Sequence, residues 1–299
     1  MQKARHMSQM VKLLERLNLP EGFSDSPLKG VRFFKSMQHI PRYPLIYEPG
    51  IVIIAQGRKV GYLGDQVFHY DANHYLVLSV AIPFYCETFA NPEEPLLGIY
   101  LNVDMLQLHE LVSQMGQRPA DSNEIANSLP KGLGPAVLDE DMANATVRLL
   151  KCLQSETETQ VLGSALVREI LFRALCGTQA PMLHTLVTHN GNINRVSRAL
   201  KTIHTDYAKK LNIEHLASQA DMSVSAFHRA FKEVTSDSPM QYLKKIRLYR
   251  ARDYIMQEKI KAYIVADKVG YESVSQFSRE FKRYFGKGPT EFINELRTK

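Results

Sequence analysis

Short runs of apolar residues dominate the first part of the chain and give way to helical spacing after residue 103. Turn residues such as Gly64 and Asp65 separate the runs, which are rich in β-branched and aromatic residues and therefore predict strands. The predicted strands are Ile51–Ile54, Arg58–Leu63, Val67–Tyr70, Tyr75–Val80, Phe84–Thr88 and Leu97–Val103. Strands of this length and spacing indicate an antiparallel sandwich or barrel, and we favour a small β-barrel or jelly roll.

Helical patterns follow these strands. Asp104 is a good N-cap residue, and apolar residues then recur every three or four positions up to Gly116. The apolar stripe of this helix is Met105, Leu108, Val112 and Met115. Two more helices are predicted at Met142–Leu153 and Val161–Cys176, and the second is apolar on most sides, which indicates burial or a subunit contact.

The stretch 177–194 has the composition of a hinge or short linker, and everything after it is helical in pattern. We therefore expect a two-domain α+β protein. Residues 1–190 form the β-barrel or jelly roll with its flanking helices, and residues 191–299 form an all-α domain.

An internal duplication lies in the last third of the chain. A shift of fifty residues aligns residues 223–239 with 273–289 and gives eight identities in seventeen positions. Each copy predicts a helix-turn-helix unit, at about residues 213–235 and 263–285. Asp221 and Gly270 occupy the turns, because these residue types tolerate left-handed backbone angles. A long helix at about Met240–Gln257 joins the units, with apolar residues that can pack on both.

The second helix of each unit carries a buried phenylalanine stripe on one face and small, polar and basic residues on the other. Arginine pairs with the O6 and N7 atoms of guanine, and serines at a helix start bind phosphate. The residues that we assign to DNA contact are Ser223, Ser225, His228, Arg229, Lys232, Ser273, Val274, Ser275, Arg279 and Lys282. If both helices enter one face of the duplex, they lie one turn, roughly 34 Å, apart.

Positive charge is concentrated in the same region. Residues 195–299 hold 21 Lys and Arg against 12 Asp and Glu, a net charge of +9. Residues 1–194 hold 16 against 19, a net charge of −3. A basic domain beside a mildly acidic one indicates a polyanionic partner, although a solvated surface explains such segments about as often.

The remaining composition excludes several classes of protein. No run of eighteen apolar residues exists, and no apolar stretch follows the basic N-terminus, so we expect neither a membrane span nor a secretion signal. Cys86, Cys152 and Cys176 are too far apart for a zinc motif and are expected to be buried thiols in the cytoplasm. No phosphate loop or catalytic triad pattern is present, so we expect no enzyme and no cofactor.

The stretch Ala266–Pro289 resembles the signature of the AraC/XylS family of bacterial transcription regulators, and residues 213–239 are similar but looser. The likeness covers about residues 195–297. It implies that the second helix of each unit is a recognition helix. The implied base-facing positions are Ser225, His228 and Arg229 in the first unit and Val274, Ser275 and Arg279 in the second.

Residues 25–178 are also similar to the N-terminal domains of that family, which are cupin-like barrels that bind an effector or mediate dimerisation. Candidate effector contacts are Arg42, Tyr43, Arg58, Tyr62, Tyr75 and Tyr85. We do not expect a metal at His69, His74 and Glu87, because their spacing differs from the His-x-His pair of a catalytic cupin. Cys86 is either a redox or electrophile sensor or, more commonly for such residues, an inert buried thiol.

These observations together predict a sequence-specific regulator that binds double-stranded promoter DNA and responds to a small molecule. RNA polymerase and a second copy of the chain are further candidate partners. Two alternatives remain open at this point. One is a cupin-type enzyme that carries DNA binding as an appendage, which a stoichiometric metal would favour. The other is a non-specific architectural protein, which a steep salt dependence without sequence preference would favour.

Overall fold

The computed structural model of the protein describes residues 2–116, 132–187, 192–258 and 260–297. The chain divides into two units, Met1–Ile193 and Asn194–Lys299. The predicted boundary between residues 190 and 191 falls outside the described residues. None of the described helices combines the length and the apolar character that crossing a membrane requires.

A ten-stranded antiparallel sheet forms most of the first unit. The strands are β1 Gly22–Asp25, β2 Val31–Ser36, β3 Ile40–Tyr47, β4 Gly50–Gln56, β5 Arg58–Leu63, β6 Gln66–Asp71, β7 His74–Leu78, β8 Ile82–Phe89, β9 Leu96–Asn102 and β10 Leu133–Val137. Their order is β1-β2-β9-β4-β7-β6-β5-β8-β3, and β10 pairs with β7 beside that path. Since β1 and β3 form separate edges, the sheet is a half-barrel, and the predicted fold class is confirmed.

The sheet is larger than the sequence pattern predicts, because β1, β2, β3 and β10 were not expected. Strand β3 contains Pro41 and Pro44, residues that cannot donate a backbone hydrogen bond and that argue against a central strand. The structure places β3 at an edge of the sheet, where among the described strands it pairs with β8 alone and where proline is tolerated.

Helices flank the sheet of the first unit. They are α1 Gln2–Glu15, α2 Met105–Met115, α3 Glu140–Cys152, α4 Glu156–Cys176 and α5 Ala180–Val187. The predicted cap of α2 is confirmed, because the Asp104 carboxylate accepts hydrogen bonds from the backbone N–H groups of Leu106 and Gln107. The predicted stripe is wrong at Met105, which is 46% exposed, whereas Leu108 and Leu111 are buried.

Two other helical expectations change. The predicted linker contains α5, whose Met182, Leu183 and Leu186 are buried. Helix α4 is buried mainly in its second half, because Val161 and Leu162 are 70% and 48% exposed. Cys86 and Cys152 are buried free thiols, but the expectation of burial is wrong for Cys176, which is exposed at the end of α4.

The second unit is helical throughout its described residues. Its helices are α6 Asn192–Asp206, α7 Ile213–Gln219, α8 Val224–Thr235, α9 Pro239–Glu258, α10 Ala262–Lys268, α11 Val274–Phe285 and α12 Pro289–Arg297. The long helix α9 contacts α8 on one side of the duplication and α10, α11 and α12 on the other. Buried residues such as Leu243, Ile246 and Ile255 make these contacts possible, as the sequence predicts.

Candidate nucleic-acid interface

The first helix-turn-helix unit consists of α7 and α8. Asp221 in the turn has a φ of 51°, the left-handed conformation that its residue type tolerates. The Ser223 hydroxyl accepts a hydrogen bond of 3.3 Å from the backbone N–H of Ala226, so this side chain caps α8. The Asp221 carboxylate lies 2.7 Å from the Arg198 guanidinium, which links the turn to α6.

The second helix-turn-helix unit, α10 and α11, has the same construction with a glycine in the turn. Gly270 has a φ of +81°, and a Cβ atom there would lie 2.3 Å from the carbonyl oxygen of Ala208. The position therefore requires glycine for both its backbone angle and its space. Ser273 caps α11 by accepting a hydrogen bond of 3.3 Å from the backbone N–H of Gln276.

Buried aromatic rings fix the orientation of α8 and α11, the second helix of each helix-turn-helix unit. The ring centroids of Phe227 and Phe231 in α8 lie 5.4 Å apart, and those of Phe277 and Phe281 in α11 lie 5.5 Å apart. All four rings are fully buried. Because one face of each helix packs into the core in this way, the opposite face points to solvent.

The residues assigned to DNA contact lie on that solvent face. The exposed residues are Ser223, Ser225, His228, Arg229, Lys232, Ser273, Val274, Ser275, Arg279 and Lys282. Within the described part of the chain, Arg229, Lys232, Arg279 and Lys282 form no ion pair with a carboxylate. Their positive charges are therefore left available to an external anion.

The basic residues of α9 are arranged differently. The Lys244 ammonium lies 2.9 Å from the Glu280 carboxylate, and the Lys245 ammonium lies 2.7 Å from the Asp237 carboxylate. The Arg247 guanidinium donates to the backbone carbonyls of residues 207 and 209. These three basic residues of α9 therefore connect elements of the second unit rather than forming a free basic surface.

Glu280 is a positioning residue that the sequence pattern missed. It lies on α11, where it binds Lys244 of α9 and accepts a hydrogen bond of 2.8 Å from the Tyr271 hydroxyl. Partial burial opposes ionisation of Glu280, but the hydrogen bonds from Lys244 and Tyr271 lower its pKa below the usual value. This network ties α11 to α9, the helix that joins the two helix-turn-helix units.

Arg283 on α11 was also missed, although it is exposed and follows Arg279 by four residues. Its spacing from Arg279 is a signal in the sequence that identifies the same helix face. The separation of the two recognition helices and the common direction of Arg229 and Arg279 stay predictions.

In the N-terminal unit, Met1–Ile193, the structure brings together only part of the predicted effector set. Arg42 stacks over the rings of Tyr62 and Tyr85, with its guanidinium carbon 4.2 and 5.2 Å from their centroids. Tyr43 is half-buried on β3, in register with Cys86. Tyr75 is buried elsewhere, with its hydroxyl near Gly177.

Arg58 lies apart from that stack, over the ring of Phe89 at 4.0 Å. It lines an open cavity of about 580 Å³, together with His39, Asp71 and residues of α1. The predicted effector contacts therefore lie in separate places rather than in one site. The sequence could not predict this separation, because it does not specify which face of the sheet each strand residue occupies.

The three residues weighed for a metal have other partners or lie apart. Glu87 contacts the His39 imidazole at 2.9 Å and the Tyr62 hydroxyl at 3.0 Å, and these hydrogen bonds lower the pKa of Glu87. His74 lies 3.1 Å from the Asp71 carboxylate, and His69 is exposed. Within the described ranges, no group of three His, Cys, Asp or Glu side chains is arranged to hold a metal ion.

Comparison with known families decides what this arrangement is. Residues 27–182 match the family model described as the N-terminus of AraC-type transcriptional regulators, and residues 216–295 match a helix-turn-helix domain model. The chain belongs to the AraC-type transcriptional regulators. The helix-turn-helix match of this AraC-type regulator spans most of α7 through α12, which includes both recognition helices.

Relatives of this AraC-type regulator are themselves transcription regulators. It is 35% identical over 97 residues to the HTH-type transcriptional regulator AlkR of Acinetobacter baylyi, an alignment that covers 32% of each chain. It is 23% identical over 251 residues to the thermoregulatory protein LcrF of Yersinia pestis, covering 82% of this chain and 88% of LcrF. For AlkR and two further curated relatives, the matched part of this chain spans only about a third to two fifths of the relative's own length.

Solved structures show the same fold over most of the chain. ToxT of Vibrio cholerae, in a crystal structure with a bound unsaturated fatty acid, matches with a TM-score of 0.56 and 12% sequence identity. The match covers 88% of this AraC-type regulator and 93% of the ToxT chain. At this level of identity the likeness concerns the fold alone.

Proposed function

We propose that this AraC-type regulator binds a specific DNA sequence through the exposed faces of α8 and α11. The observation that carries the proposal is that each helix presents an arginine and a lysine without a carboxylate partner among the described residues. Protein charges left unpaired on a helix surface suit the DNA backbone, where their binding releases counterions.

The basic side chains and Val274 on these faces have distinct chemical roles in the proposal. Arg229 and Arg279 pair with guanine in the major groove, because their guanidinium groups match its O6 and N7 atoms. Lys232 and Lys282 contact phosphate and supply affinity without sequence information. Ser225, His228, Val274 and Ser275 lie beside them on the same faces, and Val274 suits an apolar contact with a thymine methyl group.

The test selects DNA fragments with the full-length protein and then compares Arg229→Ala and Arg279→Ala on the selected sequence. Each change is expected to weaken binding by about 1–3 kcal/mol and to relax the preference at one base position. Lys151→Ala removes one exposed charge from the first unit and serves as the control that keeps binding. An equal loss on every sequence would show that the arginine contacts only phosphate.

Lys232→Ala and Lys282→Ala complete the test. Each is expected to weaken binding to all sequences alike and to reduce the slope of log K against log salt concentration by about 0.9. If the DNA affinity of the wild type depends steeply on salt concentration but is the same for all sequences, the protein is instead a non-specific architectural protein.

We also propose that the first unit binds a small-molecule effector that changes DNA binding. Support comes from the AraC-type N-terminal match and from ToxT, a protein of the same fold whose crystal structure holds an unsaturated fatty acid. We propose no catalytic activity and no cofactor, because the relatives are transcription regulators. A purified protein with one metal ion per chain would contradict this part of the proposal.

We place this regulator in the cytoplasm, beside chromosomal DNA. Two partners, a second copy of the chain and RNA polymerase, complete the proposal. A homodimer is supported by the exposed apolar residues Val161 and Leu162 on α4. Sedimentation that shows a monomer at high concentration would refute it, and Leu162→Glu is expected to dissociate the dimer. A contact with RNA polymerase is expected if the protein activates transcription, and transcription with purified polymerase tests that contact.

A further inference from the structure

A lysine ammonium group lies buried inside the half-barrel of the first unit. Lys59 on β5 is 7% exposed, and its Nζ donates a hydrogen bond of 2.8 Å to the Tyr47 hydroxyl. Within the part of the chain that the structure describes, no carboxylate lies within 4 Å of this ammonium. Burying a charge without a counter-ion is unfavourable, which makes Lys59 a candidate for binding an anion.

The groups that face Lys59 are hydroxyls and a thiol. Strand pairing sets Lys59 opposite Tyr70 on β6 and Thr88 on β8, so these side chains project from the same face of the sheet. Tyr70 is fully buried, with its hydroxyl 3.3 Å from the Cys86 sulfur. Burial lowers the pKa of Lys59, but the interactions with Tyr47 and Cys86 outweigh this effect and raise the pKa above its usual value.

Aromatic rings surround this polar cluster. The Lys59 ammonium lies 5.6 and 5.5 Å from the ring centroids of Phe34 and Tyr47. The Phe84 ring contacts Tyr47 and Phe68, at centroid distances of 5.9 and 5.5 Å. An apolar wall with a few convergent polar groups is the usual composition of a small-molecule site.

We propose that the effector of this regulator is an organic anion with an apolar body, whose carboxylate binds Lys59 and Tyr47 inside the half-barrel. The inference rests on the proposed effector function and specifies its ligand class. One buried cation matches one negative charge, and the aromatic rings match a hydrocarbon or aromatic body. A neutral ligand would leave the ammonium without a counter-ion, and a phosphate would bring more charge than one lysine offsets.

The inference is tested by thermal unfolding of the full-length protein in the presence of carboxylates. The series consists of straight-chain carboxylates from butyrate to decanoate, together with phenylacetate. The matching primary amides serve as neutral probes of the same shape. A carboxylate at about ten times its Kd is expected to raise the unfolding temperature of the wild type by about 3–6 °C, and its amide is expected to raise it far less. Equal shifts for acid and amide, or no shift with any carboxylate, would overturn the proposal.

Variants locate the effect at Lys59. Lys59→Met keeps the length of the side chain but removes its charge, and it is expected to abolish the carboxylate shift. Lys29→Met removes an exposed lysine from the same unit and is expected to keep it. A carboxylate shift that survives in Lys59→Met would overturn the proposal. If Lys59→Met does not fold, Tyr47→Phe carries the test, because it removes one hydroxyl and is expected to weaken carboxylate binding severalfold.

DNA binding is measured in parallel so that the two proposals fail separately. Lys59→Met without ligand is expected to bind the selected DNA as the wild type does, because α8 and α11 are unchanged. If no carboxylate raises the unfolding temperature while the wild type still binds DNA normally, only the proposed ligand class is overturned. Loss of sequence-specific binding by the wild type would refute the proposed function whatever the carboxylates do.

Discussion

Replacing Gly270 with alanine is expected to destabilise the second helix-turn-helix unit more than the same change at Gly286. The two glycines have nearly identical φ angles, +81° and +82°. At such angles an alanine side chain costs about 1–2 kcal/mol. A Cβ atom at Gly286 would meet no heavy atom within 4 Å, whereas one at Gly270 would lie 2.3 Å from the carbonyl oxygen of Ala208.

The added crowding at Gly270 determines the size of the difference. Forcing atoms into a filled space costs about 1–3 kcal/mol, so the total at Gly270 is about 2–5 kcal/mol. The crowding atom belongs to the backbone, so Ala208→Gly cannot relieve it. Gly270 also precedes α11, and its replacement is therefore expected to displace that recognition helix and to weaken DNA binding.

Urea unfolding followed by far-ultraviolet circular dichroism measures both variants, because the chain contains no tryptophan for fluorescence. DNA affinity is measured on the same samples under conditions where both variants stay folded. Crowding against Ala208 is refuted as the cause if Gly270→Ala loses no more stability than Gly286→Ala, or if the two variants bind DNA equally well.

Three further predictions concern the helical part of the chain, Asn194–Lys299. Burial lowers the pKa of His204 to about 4, so only the unfolded chain binds a proton between about pH 6.5 and pH 4. The free energy of unfolding is therefore expected to fall by about 1–2 kcal/mol between about pH 7 and pH 5, and a pH titration of His204→Gln should lack this loss. Ser273→Ala removes a helix cap and should cost about 1 kcal/mol in urea unfolding, whereas Ser275→Ala, which removes no cap, should cost little. Asp221→Gly relieves a left-handed angle but breaks an exposed ion pair with Arg198, so its unfolding free energy should stay within about 1 kcal/mol of the wild type.

The second unit was predictable from sequence because its signals are local. The turn residues Asp221 and Gly270 and the caps Ser223 and Ser273 all lie within a few positions of the helices they define. A repeated phenylalanine stripe then shows which face is buried, and this places the exposed residues correctly. Each signal depends on backbone geometry and hydrogen bonding over one or two helical turns.

The first unit was less predictable because its contacts join distant residues. Arg58 and Lys59 are adjacent and both basic, so alternation along β5 cannot show which of them faces inward. Only the pairing of β5 with β6 and β8 places Lys59 inside and Arg58 outside. The ion pair of Lys244 with Glu280 escaped prediction for the same reason, because its partners meet only when α9 packs on α11.

The two ends of the sheet have a consequence for aggregation. An unpaired strand offers its amide and carbonyl groups to any other chain, which is how sheets of different molecules join into fibres. At one end, β1 is only four residues long, and at the other β3 carries Pro41 and Pro44, which break the row of available donors. Growth of the sheet into a neighbouring molecule is therefore disfavoured at these two ends.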